Sequence, residues 1–334
     1  MDIITFGSAT WDIFMRTKEF RVVKNKKFAT GKSICLGSGS KIDIEDIKFS
    51  SGGGGTNTAA TFAKQGFKPS YCGMVGNDLS GGRVIEELKK LGIGTQLIAK
   101  TSIKATNTSV VLNPDKEDRT ILVYRGASEL LSKRDILWPR IKKAKWFYLA
   151  PFSGLLAELS DVLVNFAYNN GIKVAFNPGS SQLSLSSRVL KKIIKKVDVL
   201  ILNQEEASLL TGIPFKKERE IFKSIDEICP GIAVMTKGGQ GVVVSDGKYL
   251  YKADVLKTKI IDRTGAGDSF GAGFVSGFIK KDSIEYAIQL GTANAAACIS
   301  EWGAKNRLLD KNEKIKKVKV NKEQCSKNGL CKTK

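Results

Sequence analysis

The stretch that most constrains the fold begins at residue 145, where short apolar runs alternate with longer amphipathic ones. KWFYLA (145–150), IKVAFN (172–177) and VDVLIL (197–202) read as strands, with helices expected near 153–169, 182–196 and 203–211. Near-continuous apolar strands of this kind need cover on both faces. Alternating with helices, they predict a mostly parallel sheet between two helical layers. Upstream, DIITFGS (2–8) reads as a first strand, 55–66 as a helix closed by Gly66, and 79–91 as a helix capped by Asn77 or Asp78. Over about 13–50 and 105–125, apolar and polar residues alternate between Gly and Asn breakers. That pattern predicts a small β-sheet inserted into the α/β core in two pieces. One large domain over 1–304 is expected, followed by a basic tail over 305–334.

Composition narrows the chemistry. The 334 residues contain no histidine, which removes His-based triads, His metal ligands and His general bases. Six cysteines are scattered without a framework, so thiols in a reducing cytoplasm are expected. No apolar stretch reaches the length of a membrane span, and no signal sequence opens the chain. The net charge of +21 invites a nucleic-acid partner. Its distribution argues against one: ten Lys and one Arg in 305–334 face only Asp310, Glu313 and Glu323, and other Lys pairs lie on solvated helix faces. TGKS at 30–33 lacks the Gly five positions before Gly31 that a phosphate-binding Walker loop requires. Neither Gly-rich segment completes GxGxxG, so a dinucleotide site is not supported.

The segment DRTGAGDSFGAGF (262–274) sets one acid, Asp268, among very small residues. A helix starting near Gly265 would leave the amides of Gly265, Ala266 and Gly267 without intrahelical acceptors. Those free N–H groups and the helix dipole attract an anion, and small side chains let a phosphate approach. Asp268, one step on, would stand beside that anion as an acceptor for a hydroxyl proton. An anion hole adjoining a carboxylate base suits phosphoryl transfer to an alcohol. The bland reading, a small-residue face against the sheet, is the one expected for Gly271 to Phe274.

DRTGAGDSFGAGF resembles the C-terminal signature of the ribokinase-like (PfkB-type) carbohydrate kinases, and GGGGTNTAATFAKQG (52–66) resembles their N-terminal signature. The resemblance covers most of the chain up to about 304. It implies a three-layer αβα fold with a small β-sheet lid, and an ATP- and Mg²⁺-dependent kinase, with a monovalent cation requirement left open. By the same resemblance Asp268 is the catalytic base and Gly265, Ala266 and Gly267 form the anion hole. Asp12, Gly53, Gly54 and Asn57 bind the acceptor. Asn203 and Glu206, in NQEE, organise Mg²⁺ indirectly through water. Thr236, Gly238 and Gly241 form the nucleotide-side loop, and Asn294 lines the adenine pocket. A homodimer through the lid sheet is also implied.

Two positions depart from the family pattern. Arg263 stands where Thr is frequent, and the strand ending at Ala150-Pro151 lacks the carboxylate that ribose-specific relatives carry. Arg125, from the lid region, could read a phosphate or carboxylate on the substrate. The acceptor is therefore open between a sugar, a sugar phosphate and a nucleoside. A non-catalytic sugar- or nucleotide-binding regulator is the alternative of another class.

Overall fold

The computed structural model describes residues 1–28, 31–114, 119–154 and 156–325. Thr30 of the TGKS stretch, Cys331 and the rest of the last nine residues lie outside them. The chain opens with β1 (Ile3–Phe6), then β2 (Thr10–Thr17), the hairpin β3 (Arg21–Lys24) and β4 (Lys32–Cys35), and β5 (Asp46–Gly52). Next come α1 (Gly54–Lys64), β6 (Pro69–Gly76), α2 (Leu79–Lys90), β7 (Gly94–Thr101), β8 (Asn107–Pro114) and β9 (Thr120–Tyr124). The α/β series follows as α3 (Trp138–Ile141), β10 (Trp146–Leu149), α4 (Leu156–Asn169), β11 (Lys173–Phe176), α5 (Ser180–Leu183) and α6 (Ser187–Ile194). It continues through β12 (Val199–Asn203), α7 (Gln204–Thr211), α8 (Glu218–Asp226), β13 (Ile232–Thr236), β14 (Val242–Ser245) and β15 (Tyr249–Ala253). The last elements are α9 (Ala266–Lys281), α10 (Ile284–Cys298) and β16 (Val320–Gln324).

Ten strands form one sheet in the order β16-β15-β14-β13-β12-β11-β10-β1-β6-β7. Pairing is parallel from β7 through β13 and antiparallel from β13 to β16. Neighbouring residues of each strand point to opposite faces. Thus Phe147, Leu149, Leu200 and Leu202 join α4, α6, α7 and α8 in one core, while Tyr148, Val199 and Ile201 join α9 and α10 in the other. The predicted rhythm follows from this double burial. The structure splits the helix expected over 182–196 in two.

The inserted pieces form a four-stranded sheet, β5-β2-β8-β9, in which β2 and β8 run parallel and the other pairs antiparallel. Asp78 caps α2 by accepting from the Gly81 amide and also accepts from the amide and hydroxyl of Thr106, where the chain re-enters this sheet. The capping alternative Asn77 is not the one used.

Chain beyond 304 departs from the tail expected there. Leu308, Leu309 and Val318 are buried, and β16 pairs with β15 from Tyr249↔Gln324 to Ala253↔Val320. A Leu pair and a lone Val gave no helical or strand period, yet each packs against residues of α1 or α10. Cys35, Cys72, Cys229 and Cys298 are free thiols, whereas Cys325 is disulfide-bonded, against the expectation of thiols throughout. No helix among the described residues is long and apolar enough to cross a membrane.

Candidate active site

The chain passes from β1 to β6 and β7 on one side of the sheet and to β10 through β13 on the other, so β1 and β10 flank the reversal. Crevices outside the carboxyl ends of strands at such a point are where open α/β sheets bind ligands. Gly7, Gly55 and Ala150 meet there so closely that a Cβ on Gly7 would sit 2.7 Å from the Gly55 amide nitrogen and 3.0 Å from the Ala150 methyl. Gly53, at φ +93°, turns β5 into α1 in a backbone region that other residues avoid.

Asp268 lies in the first turn of α9, and its Oδ2 accepts from Asn57 Nδ2 at 2.8 Å. Its Oδ1 faces Gly54, where an added Cβ would lie 3.4 Å away, which leaves that oxygen toward the crevice. Burial raises the Asp268 pKa, opposed by the Asn57 hydrogen bond and the charge of Lys305. Asp12 is buried, accepts from Ser109 Oγ on Oδ1, and places Oδ2 against Gly52, where no side chain would fit. Burial raises its pKa as well, with Ser109 and Lys305 pulling it down and Asp262 and Glu87 pushing it up. Asn57 is 3% exposed and its Oδ1 has no partner among the described residues, which is uncommon for a buried acceptor. Asp268 thus meets Asn57 and Gly54, while Asp12 meets Gly52, two residues before Gly54.

A cavity of about 470 Å³ opens at the start of α9. Ala266 and Gly267 line one end, with Thr236, Gly238, Gly239 and Gly241, while Val255, Leu256, Ile260, Phe270, Ala295 and Ala296 make apolar walls. Gly265 caps α9 at φ +75°. Asp262 holds this helix start: Oδ1 accepts from the amide and hydroxyl of Thr264, Oδ2 accepts from the Gly303 amide, and Arg119 of the small sheet approaches Oδ1 at 3.7 Å. Arg263 lines the cavity too.

Other expected residues fall elsewhere. Asn294 is fully buried; its Nδ2 donates to Thr61 Oγ1 and the Ser269 carbonyl, and its Oδ1 accepts from the Leu309 amide. It ties three segments together and does not line the cavity, where Thr292 stands instead. The sequence offered no sign that the 305–310 segment would return to claim it. Asn203 and Glu206 form a reciprocal cap on α7, and Asn203 pairs in register with Thr236, at the cavity mouth. Burial raises the Glu206 pKa, opposed by the Asn203 amide. Arg125 is exposed at the end of β9. Sequence reasoning missed the 255–260 wall, whose sign was three large apolar residues, Val255, Leu256 and Ile260, outside any period. It also missed Lys305, hidden in what read as a tail.

A model of the pfkB family carbohydrate kinases matches residues 23–312. The chain belongs to that family. Among its most similar relatives is a ribokinase of Haemophilus influenzae, 27% identical over 288 residues, covering 83% of this chain and 90% of the relative. A nucleoside kinase of Methanothermobacter thermautotrophicus is 24% identical over 270 residues, covering 80% and 84%. The structure of an Arabidopsis thaliana ribokinase complexed with ribose and ATP superposes with a TM-score of 0.75 at 20% identity, over 93% of this chain and 96% of that one. This likeness shows that the two share the fold. The pfkB kinase is a phosphotransferase acting on a sugar or nucleoside hydroxyl. Within it, Asp268 lies at the start of α9 against Asn57 and Gly54, and the two residues just before it, Ala266 and Gly267, line the cavity.

Proposed function

We propose that this kinase moves the γ-phosphoryl group of ATP to a hydroxyl of a neutral sugar, with Asp268 as general base. The observation that carries this is the placing of Asp268 Oδ1 toward Gly54 while Ala266 and Gly267 line the cavity. The acceptor hydroxyl gives its proton to Oδ1 as its oxygen attacks the γ-phosphorus, and the bond to the ADP oxygen breaks. The amides of Gly265, Ala266 and Gly267 take the charge that builds on the transferred group. Asp12 Oδ2 and Asn57 Oδ1 accept from further hydroxyls and fix the sugar's orientation. Adenine lies between Leu256, Phe270 and Ala296, and Thr236, Gly238 and Gly241 border the phosphates. Asn294 acts by holding the α9–α10 pair, not by touching the base.

The charges favour a neutral acceptor over a sugar phosphate. Asp12 and Asp268 are the charged groups beside the Gly52–Gly54 stretch, and Arg125, the cation expected to read a phosphate, is exposed. A nucleoside uses the same groups through its ribose, and the similarity to a nucleoside kinase favours it as the second reading. Against the regulator reading speaks the similarity to relatives that are a ribokinase and a nucleoside kinase.

Mg²⁺ fits the donor set in one way. No cluster of three acidic, Cys or His ligands occurs among the described residues, so an all-protein cage is not built. Glu206 uses Oε2 in the α7 cap and keeps its other oxygen, which suits a metal held mainly by phosphates and water. Such an ion would supply charge neutralisation of the phosphate oxygens, and Asn203 and Glu206 would hold its water shell. The lid sheet supports a homodimer as well, since every residue of β9 is exposed, Leu122 and Val123 among them.

ADP release measured with ATP against pentoses, hexoses, nucleosides and sugar phosphates tests this reading. Turnover dependent on a neutral sugar or nucleoside is expected. Turnover with phosphorylated acceptors alone would overturn the substrate class.

A further inference from the structure

Residues 302–305 are four in a row, and each touches a different part of the molecule. Trp302 stands against the small sheet. Lys48 Nζ of β5 lies 4.6 Å from the centre of its ring and the Arg16 guanidinium of β2 5.8 Å, with the Phe14 ring of β2 at 6.2 Å. An indole face attracts cations more strongly than the other aromatic rings do. The Gly303 amide donates to Asp262 Oδ2 at 3.0 Å. Ala304 packs on Gly265, where an added Cβ would lie 3.0 Å from the Ala304 Cα. Lys305 Nζ donates to the Ser51 carbonyl at 2.6 Å and to Ser51 Oγ at 2.7 Å, just ahead of Gly52.

These contacts are linked through the backbone. The Gly303 N–H belongs to the same planar peptide unit as the Trp302 carbonyl, so turning that unit turns the donor that Asp262 receives. Asp262 Oδ1 in turn accepts from the amide and hydroxyl of Thr264, the residue before Gly265. An unbroken run of contacts therefore leads from the small sheet through Trp302, Gly303 and Asp262 to the start of α9. Trp302 is half-buried and does not line the cavity, so it affects a nucleotide there only through that run.

We propose that residues 302–305 form a strap through which the small sheet positions the anion hole, with Trp302 as the positioning residue that Lys48 holds. This role depends on the start of α9 holding the donor phosphates, as proposed for the kinase. It gives the small sheet a task on the donor side of the site.

Equilibrium titration with ATP and with AMP, in the absence of acceptor, is the test. AMP shares adenine, ribose and the first phosphate but lacks the groups that reach the anion hole. Trp302→Leu is expected to weaken ATP binding at least about fivefold, the low end of coupling between sites, while AMP affinity holds. Lys48→Met should weaken ATP binding about two- to fivefold, as loss of an exposed cation–ring contact implies, and Lys48→Arg should restore it. In the Trp302→Leu background Lys48→Met should add nothing. A lysine acting on ATP through space would keep its full effect there, and that outcome overturns the proposal. Unchanged ATP affinity in folded Trp302→Leu overturns it too, as does an equal loss for AMP. Should Trp302→Leu not fold, Lys48→Met is compared with Lys18→Met, an equal loss of charge just past β2. A loss of ATP affinity common to both, or to neither, overturns the strap. A parent protein that binds ATP no better than AMP removes the reading of the α9 start itself. One that prefers ATP, with variants that bind alike, removes only the strap.

Discussion

At the scale of single residues, two acids close in sequence have unlike tasks. Asp262 spends both oxygens on Thr264 and Gly303 and so shapes the loop before α9. Asp268 keeps one oxygen free beside Gly54, and that freedom is what a base needs. Asp268→Asn is expected to lower kcat by at least about 10²-fold, the usual contribution of a general base, with nucleotide affinity retained in equilibrium titration. Because burial raises the Asp268 pKa, the folded state holds this proton more tightly than the unfolded chain does. The ionised carboxyl therefore costs stability at neutral pH, a cost that fades as pH falls through the raised folded value and is gone below the unfolded one. Asp268→Asn should accordingly leave Tm at pH 7 unchanged or higher, and a large drop in Tm would contradict that sign. For the parent protein, kcat/KM should fall on acidification through a limb above the ordinary carboxylate range, since only the ionised form accepts a proton.

At the scale of elements, α9 carries two kinds of glycine. Gly265 is needed for its backbone: at φ +75° a side chain is strained, and a Cβ there would collide with Ala304. Gly265→Ala should shift the anion hole and lower kcat by about 10²–10³-fold, more than it changes the KM for acceptor, by steady-state assay. Gly271, Gly273 and Gly277 are needed for closeness. A Cβ on Gly271 would strike the Tyr148 hydroxyl, one on Gly273 would lie 3.0 Å from the Gly291 Cα, and one on Gly277 2.8 Å from the Ala287 Cα. Gly271→Ala is expected to cost about 1–3 kcal/mol in denaturant unfolding, the range for an overfilled core, while ATP affinity at stable temperatures persists. Little loss of stability there would mean that α9 does not need its close approach to the sheet.

At the scale of the whole molecule, the large sheet supplies a rigid bed and the small sheet a cover. Arg119 reaches from the start of β9 to Asp262, so the small sheet and the loop before α9 touch. The outer strand β9 exposes Ile121, Leu122, Val123 and Tyr124, a row that a second copy would bury. Leu122→Lys with Val123→Lys should give a monomer in sedimentation at concentrations where the parent protein is a dimer; a monomeric parent protein would refute the pairing. The sequence by itself determined the parallel, doubly covered sheet, because strands such as VDVLIL are apolar on both faces and admit no other setting. It also determined the start of α9 and the lone acid in it, because capping and glycine conformation are local physics. Only the tertiary structure decided what distant segments bring: Lys305 on Ser51, the Asn294 junction, the 255–260 wall and β16 at the sheet edge. Those positions carry no period and no cap, since their place is set by gaps and charges in other parts of the fold.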